Sequence, residues 1–291
     1  MFRLAGIACS LSPPYNDAMN APPATPESES RRIDLAIIEL AELAASGEHA
    51  KIGRLLSTAP SLPRSRVSLA LANAAANGHV ECVKLLAPRS NPKAHDSLAL
   101  CQAAENGHDE CVRILLPRSN PLAGMSSALR LAASNGHAEC VKLLAPASMP
   151  GGDNAMALAF AALNGHAVCV KLLIPFSQAK LVDSTAFRWA AESGHVDCAK
   201  LLIFAQDPST SFEAPLFSAI ANGHTGIVTL LLAHQPALIE LLDLPCAAAE
   251  ASERGRGKLA AFFLSIHERE SLAEIASADG ASSTPRPSAR L

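Results

Sequence analysis

The sequence predicts an all-α solenoid in which antiparallel helix pairs stack in one line, joined by short loops with little or no β-hairpin. Three observations predict it. The first is a period. The glycines Gly78, Gly107, Gly136, Gly165, Gly194 and Gly223 each fall 29 residues after the last, and each is followed by histidine: His79, His108, His137, His166, His195 and His224. A fixed period of this size marks an array of supersecondary units that bury their apolar faces only against one another. The second is spacing. Ahead of each glycine, an Ala-Leu step and an Ala-Ala pair (Ala99-Leu100, then Ala103-Ala104) lie three to four residues apart, on one helical face. Behind each glycine, Cys-Val and Leu-Leu recur at i, i+1, i+3, i+4, a one-sided stripe. The third is composition. Hydrophobic residues make up 49% of the 291 residues but aromatics only 4%, and much of the rest is alanine, which suits close helix-on-helix stacking better than a bulky core.

Taken in order, residues 1–30 are rich in Pro, Ser and Ala from Ser12 onward and lack periodicity, so they read as disordered. The stretch Leu4–Cys9 faintly resembles a lipoprotein cleavage box, but its apolar run is too short for a signal peptide, which needs about 7–15 residues. The repeat domain is expected over 31–266. Its N-terminal cap, 31–62, carries Ile33, Ile37 and Leu40 at helical spacing, and Ser46-Gly47-Glu48-His49 imitates the recurring phrase. Six regular units follow over 67–240. In each, helix A is expected to open at a serine N-cap where one is present (Ser68, Ser97, Ser126, Ser184), because the hydroxyl can accept a bond from a free amide of the first turn. The glycine closes helix A, since that position commonly needs positive φ. Helix B starts at the histidine and stops at a proline in four copies: Pro88, Pro117, Pro146 and Pro175. A C-terminal cap, 244–266, lacks the histidine at Arg254-Gly255-Arg256-Gly257 and puts Phe262-Phe263 in place of Leu-Leu. Residues 267–291 are expected to add one short helix and then a disordered tail from 279.

The string Ala-Leu-x-x-Ala-Ala-x-x-Gly-His-x-x-x-Val-x-x-Leu-Leu resembles the ankyrin repeat. The resemblance covers about 65–240 well and the two caps weakly. Six copies in phase make it specific. The unit departs from the family in length, 29 residues against a usual 33, and the shortfall lies in the inter-repeat loop, as in Pro88–His95. The family's Thr-Pro-Leu-His is mostly lost; Pro215-Leu216 keeps the Pro-Leu, and Arg130 and Arg188 stand at the histidine place. The resemblance implies protein–protein recognition on the concave, helix-A side.

Charge and motifs exclude other classes. Net charge is −3, which leaves no electrostatic footprint for nucleic acid or an anionic membrane, and no apolar run approaches the roughly 18 residues of a membrane span. Five of eight cysteines (Cys82, Cys111, Cys140, Cys169, Cys198) share one register. Neighbouring copies would stand a helix spacing apart, about 8–10 Å, too far for disulfides, which favours a reducing, cytoplasmic compartment. The His-x-x-Cys pairs have a spacing that can share a metal, but they march along the stack instead of converging, so they read as core and turn residues. The pairs Glu81/Lys84, Glu110/Arg113, Glu139/Lys142 and Asp197/Lys200 read as a solvated outer face. No nucleophile–base, phosphate-loop or zinc motif is present, so no catalytic residue, metal or cofactor is assigned.

What varies between copies is helix A. Counted back from each glycine, positions nine, five or six, and two share a face. In the middle units these are large and apolar: Leu131, Met156, Phe160, Leu163 and Trp189, with Arg130, Arg188 and Phe217 one residue aside. Trp and Arg are enriched at binding hot spots, so these eight residues are the expected partner-binding set. The expected function is a non-enzymatic, monomeric scaffold for a protein partner. Two alternatives stand beside it: a bacterial effector secreted into a host cell and acting through the same face, suggested by the Ser/Pro-rich head, and a metal-binding or enzymatic module.

Overall fold

The computed structural model describes residues 26–59, 62–91, 93–148, 152–177, 184–205 and 211–282. Among them all regular structure is helical and no strand occurs, as the shortened loops predict. The described residues form eight helix pairs. The N-terminal cap is α1 (Pro26–Ser46) and α2 (His49–Thr58). The six regular pairs are α3 (Arg64–Ala76) with α4 (Val80–Leu86), α5 (Ala94–Glu105) with α6 (Asp109–Leu115), α7 (Ala123–Ser134) with α8 (Ala138–Leu144), α9 (Gly152–Leu163) with α10 (Ala167–Leu173), α11 (Ser184–Ser193) with α12 (Val196–Ile203), and α13 (Glu213–Asn222) with α14 (Thr225–His234). The last pair is α15 (Leu244–Glu253) and α16 (Gly257–Ser282). From α1 to α13 first helices pack on first helices, and second pack on second along the stack, giving two layers that share one core.

The core is the repeat made physical. Leu71, Leu100, Leu129, Leu158, Phe187 and Leu216 form one fully buried row. The alanine pairs beside them are also buried, because a methyl side chain is all that the close approach of adjacent first helices leaves room for. Cys82, Cys111, Cys140, Cys169 and Cys198 make a second row at 0–1% exposure, continued by Ile227.

The glycine–histidine phrase works across repeats as well as within them. Gly136 takes φ +78°, and His137 N–H donates to Ala132 O at 2.9 Å, closing α7 with a left-handed C-terminal turn. The next unit's His166 lies flat on this glycine: a Cβ there would fall 2.5 Å from its Nδ1. His166 Nε2 sits 3.0 Å from Ser134 O, near the end of α7. A carbonyl only accepts, so Nε2 carries the proton. The same ring-to-carbonyl bond joins His79 to Ala45, His108 to Ala76, His137 to Glu105 and His224 to Glu192, at 2.9–3.1 Å. Each of these five histidines is thus a clamp onto the preceding repeat, and the ring of His195 covers Gly165 in the same way.

The caps are edited at this clamp. At the N-terminal end, in the first described pair, Glu48 follows Gly47 in place of a histidine. At the C-terminal end Arg256 supplies what the missing histidine would have: its Cδ lies on Gly223, and its Nη1 donates to Ile220 O at 2.9 Å. Gly255 keeps φ +72° with nothing packed on it, so the series of clamps stops there.

Three expectations need correction. The serines do not cap helix A. The helices start before them, with Pro63, Lys93 and Leu122 at the cap positions of α3, α5 and α7. Ser68 and Ser97 instead accept the backbone N–H of Asn91 and Asn120 in the following loop, at 3.0 and 2.9 Å. The loop amides there need an acceptor, and a buried serine 23 residues earlier provides it. Ser97 and Ser126 take positive φ of +63° and +56°, and Ser126 Oγ is buried without a hydrogen-bond partner among the described residues. α11 begins at Ser184 itself, whose side chain lies outside the described residues. Second, α1 begins at Pro26, inside the segment read as disordered; residues 1–25 lie outside the described residues. Third, α16 is one helix from Gly257 to Ser282 without a break near 267, so it takes in the first residues of the expected tail; 283–291 lie outside the described residues.

Candidate partner-binding face

The eight candidate residues lie on four consecutive first helices, α7, α9, α11 and α13. Five of them directly follow a buried row residue: Leu129 precedes Arg130 and Leu131, Phe187 precedes Arg188 and Trp189, and Leu216 precedes Phe217. The repeat therefore fixes their register while leaving their identity free.

The structure brings two of them into direct contact. The rings of Phe160 and Trp189 stand 5.6 Å apart between centroids, tilted by 57°, a geometry in the favourable range for aromatic pairs. Both are half-buried, and Trp189 packs against the core. Leu131 and Leu163 are also half-buried. Met156 and Phe217 are exposed, at 42% and 49% of their surface, and Arg188 is exposed beside them. Arg188 forms no ion pair among the described residues. Arg130 is half-buried and donates from Nη2 to Ser127 Oγ at 3.3 Å. Trp189 and Phe160 thus act partly as packing and partly as surface, and exposed Met156, Arg188 and Phe217 lie on the same two helices and the next.

One feature of this face was not legible in the sequence. Between α13 and α15 lies a half-open cavity of about 250 Å³, lined by Phe217 and Ile220 on one side and Ala247 and Ala251 on the other. Its sequence signals are the Gly223 to Gly255 spacing of 32 in place of 29 and Glu250 at the place of Phe160 and Trp189.

The histidine and cysteine rows do different work. The imidazoles are engaged with carbonyls of the preceding repeat, and the sulfurs are in the core. Among the described residues no three His, Cys, Asp or Glu side chains are grouped to hold a metal ion. Burial pushes the thiols of Cys111, Cys140, Cys169 and Cys198 from an ordinary 9.0 up to about 11, and raises Cys82 as well. They stay protonated at neutral pH and lack the thiolate that nucleophilic or metal chemistry needs. The sign of the linkage follows. The folded thiols hold their protons more tightly than the unfolded ones, so their contribution to stability is complete below pH 9 and is lost as pH rises toward 11. The urea midpoint should fall between pH 8.5 and 11, and replacing Cys111, Cys140, Cys169 and Cys198 together by valine should flatten that fall. An equal fall in both proteins would show that the thiols are not its source.

A search among curated proteins finds no match. The crystal structure of the human ASB11 ankyrin repeat domain is similar at 24% identity and a TM-score of 0.50, over 62% of this chain and 96% of that one, a likeness of fold. The family model for ankyrin repeats (three copies) matches residues 41–124, 129–212 and 158–243. Ankyrin repeats are generally protein–protein interaction modules, and the fold is typically non-enzymatic. With the model spanning more than half of the chain and the clamped helix pairs running through it, this protein belongs to the ankyrin repeat family.

Proposed function

We propose that this chain is a non-enzymatic, monomeric interaction scaffold that holds a protein partner on the concave, exposed face of its helix-A layer, centred on the third to fifth regular units. The observation that carries the reading is the half-buried Phe160–Trp189 pair, ringed by exposed Met156, Arg188 and Phe217. Contiguous apolar surface of this kind on a monomer usually marks an interface, and Trp with Arg is the pairing most enriched among hot spots. The rest of the chain supports a passive role, since its histidines are spent on clamping and its row cysteines on the core.

Affinity capture with mass spectrometry tests this, comparing the wild-type chain with a Phe160→Ala, Trp189→Ala double variant. Truncating two hot-spot side chains costs about 2 kcal/mol or more each, so at least one captured protein should drop by tenfold or more. Retention of every captured protein by the variant would defeat the proposal. The free, buried cysteines of the repeat support a reducing cytoplasm as the place of action. The effector reading uses the same face and differs only in whose cytoplasm it is; fusion of residues 1–30 to a reporter, scored for export, separates the two.

A further inference from the structure

We infer that the cavity between α13 and α15 is an anchor pocket for one aromatic side chain of the partner, from a segment that also carries a carboxylate nearby. This rests on the helix-A face being the partner surface and adds a second, separable contact at its C-terminal end.

The cavity exists because the cap departs from the repeat. Five residues before its glycine, the cap has Glu250 where α9 and α11 have Phe160 and Trp189. Glu250 does not fill the gap; its Oε1 meets Arg254 Nη2 at 2.6 Å. The facing positions are Ala247 and Ala251, and the opposite wall is the exposed ring of Phe217 with Ile220. At about 250 Å³ the space falls below the ~300–1,000 Å³ of small-molecule sites and suits a single large side chain. It is too small for a helix.

The surroundings select the occupant. An aromatic ring entering here meets Phe217, whose ring offers an edge or a face, and the guanidinium of Arg254 at the rim, which attracts a π-face. The polar rim is Arg254 and Arg256 against Glu250 alone, an excess of one positive charge. Arg188, unpaired among the described residues, stands at the position of Phe217 one unit earlier. That cationic margin complements an acidic residue flanking the aromatic one. Phe217 belongs both to this pocket and to the face around Trp189, so one segment lying along the helix-A layer can reach both.

The test uses the full chain and a displayed library of random twelve-residue peptides. Selected peptides should share an aromatic residue with Asp or Glu within a few positions. The best binder, fluorescently labelled, is then measured by fluorescence polarisation against Ala247→Trp, which fills the pocket, Ala221→Trp, which blocks its mouth from an exposed position, and Trp189→Ala. We expect at least tenfold weaker binding to both filling variants. Unchanged binding to both, with loss in Trp189→Ala, removes the pocket and leaves the wider face standing. Unchanged binding to all three removes both readings. A library that yields no aromatic-bearing binder overturns the pocket as well.

Discussion

Replacing Gly136 by alanine should cost about 2–5 kcal/mol of stability, because two penalties coincide there. The left-handed backbone at φ +78° costs a β-carbon about 1–2 kcal/mol. The new methyl also falls 2.5 Å from His166 Nδ1, so the ring must move and its bond to Ser134 O is strained or lost, for about a further 1–3 kcal/mol. For a repeat domain of this size that corresponds to a melting temperature lower by roughly 10 °C, read by circular dichroism. The clamp makes a sharper claim than the conformation alone. In a Gly136→Ala, His166→Ala double variant the collision is gone while the backbone cost remains, so the double should be clearly less destabilised than the sum of the singles. Strict additivity would show that glycine is needed only for its own φ and that the histidine is not a clamp.

Truncating Phe187 to alanine should cost about 3–5 kcal/mol, the range for a fully buried phenyl ring. Phe187 occupies the leucine position of the other five units and stacks edge-on against Phe212, centroids 5.4 Å apart at 71°. It therefore joins the fifth unit to the sixth, directly beneath Arg188 and Trp189. A linear array responds locally to such a loss. Amide exchange should accelerate in α11 to α14 while α3 to α6 keep their protection. Phe187→Leu, which restores the residue of the neighbouring units, should cost less than about 1.5 kcal/mol apart from the lost ring pair. Uniform exchange across all eight pairs in the alanine variant would mean that the stack unfolds as one body and that the local account is wrong.

These two sites also show how the sequence could be read. Gly136 was identifiable as a helix terminator from its spacing, because φ preference is a local property. That His166 covers it from the next repeat was not, since the contact spans 30 residues and appears only when the units are stacked. Ser97 shows the opposite outcome. Its place ahead of an apolar run suggested a local cap, but its hydroxyl serves Asn120 in a loop 23 residues away. A side chain with one oxygen goes to whichever buried amide lacks a partner, and sequence spacing does not reveal which amide that is. Arg256 likewise marked only a missing histidine in the sequence, because an arginine standing in for one is recognisable only by the carbonyl it reaches.

By itself the sequence determined the helix pairing, the period, the buried rows and the absence of a strand among the described residues. Each follows from local spacing multiplied by repetition, so a signal too weak in one copy becomes decisive in six. It also determined which helix-A residues escape the repeat. Tertiary structure alone decided how far those residues are exposed, that Phe160 meets Trp189, and that a cavity opens beside Phe217. Those outcomes depend on the distance between non-identical neighbours, and above all on the altered spacing of the C-terminal cap, where the repetition that made the rest of the chain readable comes to an end.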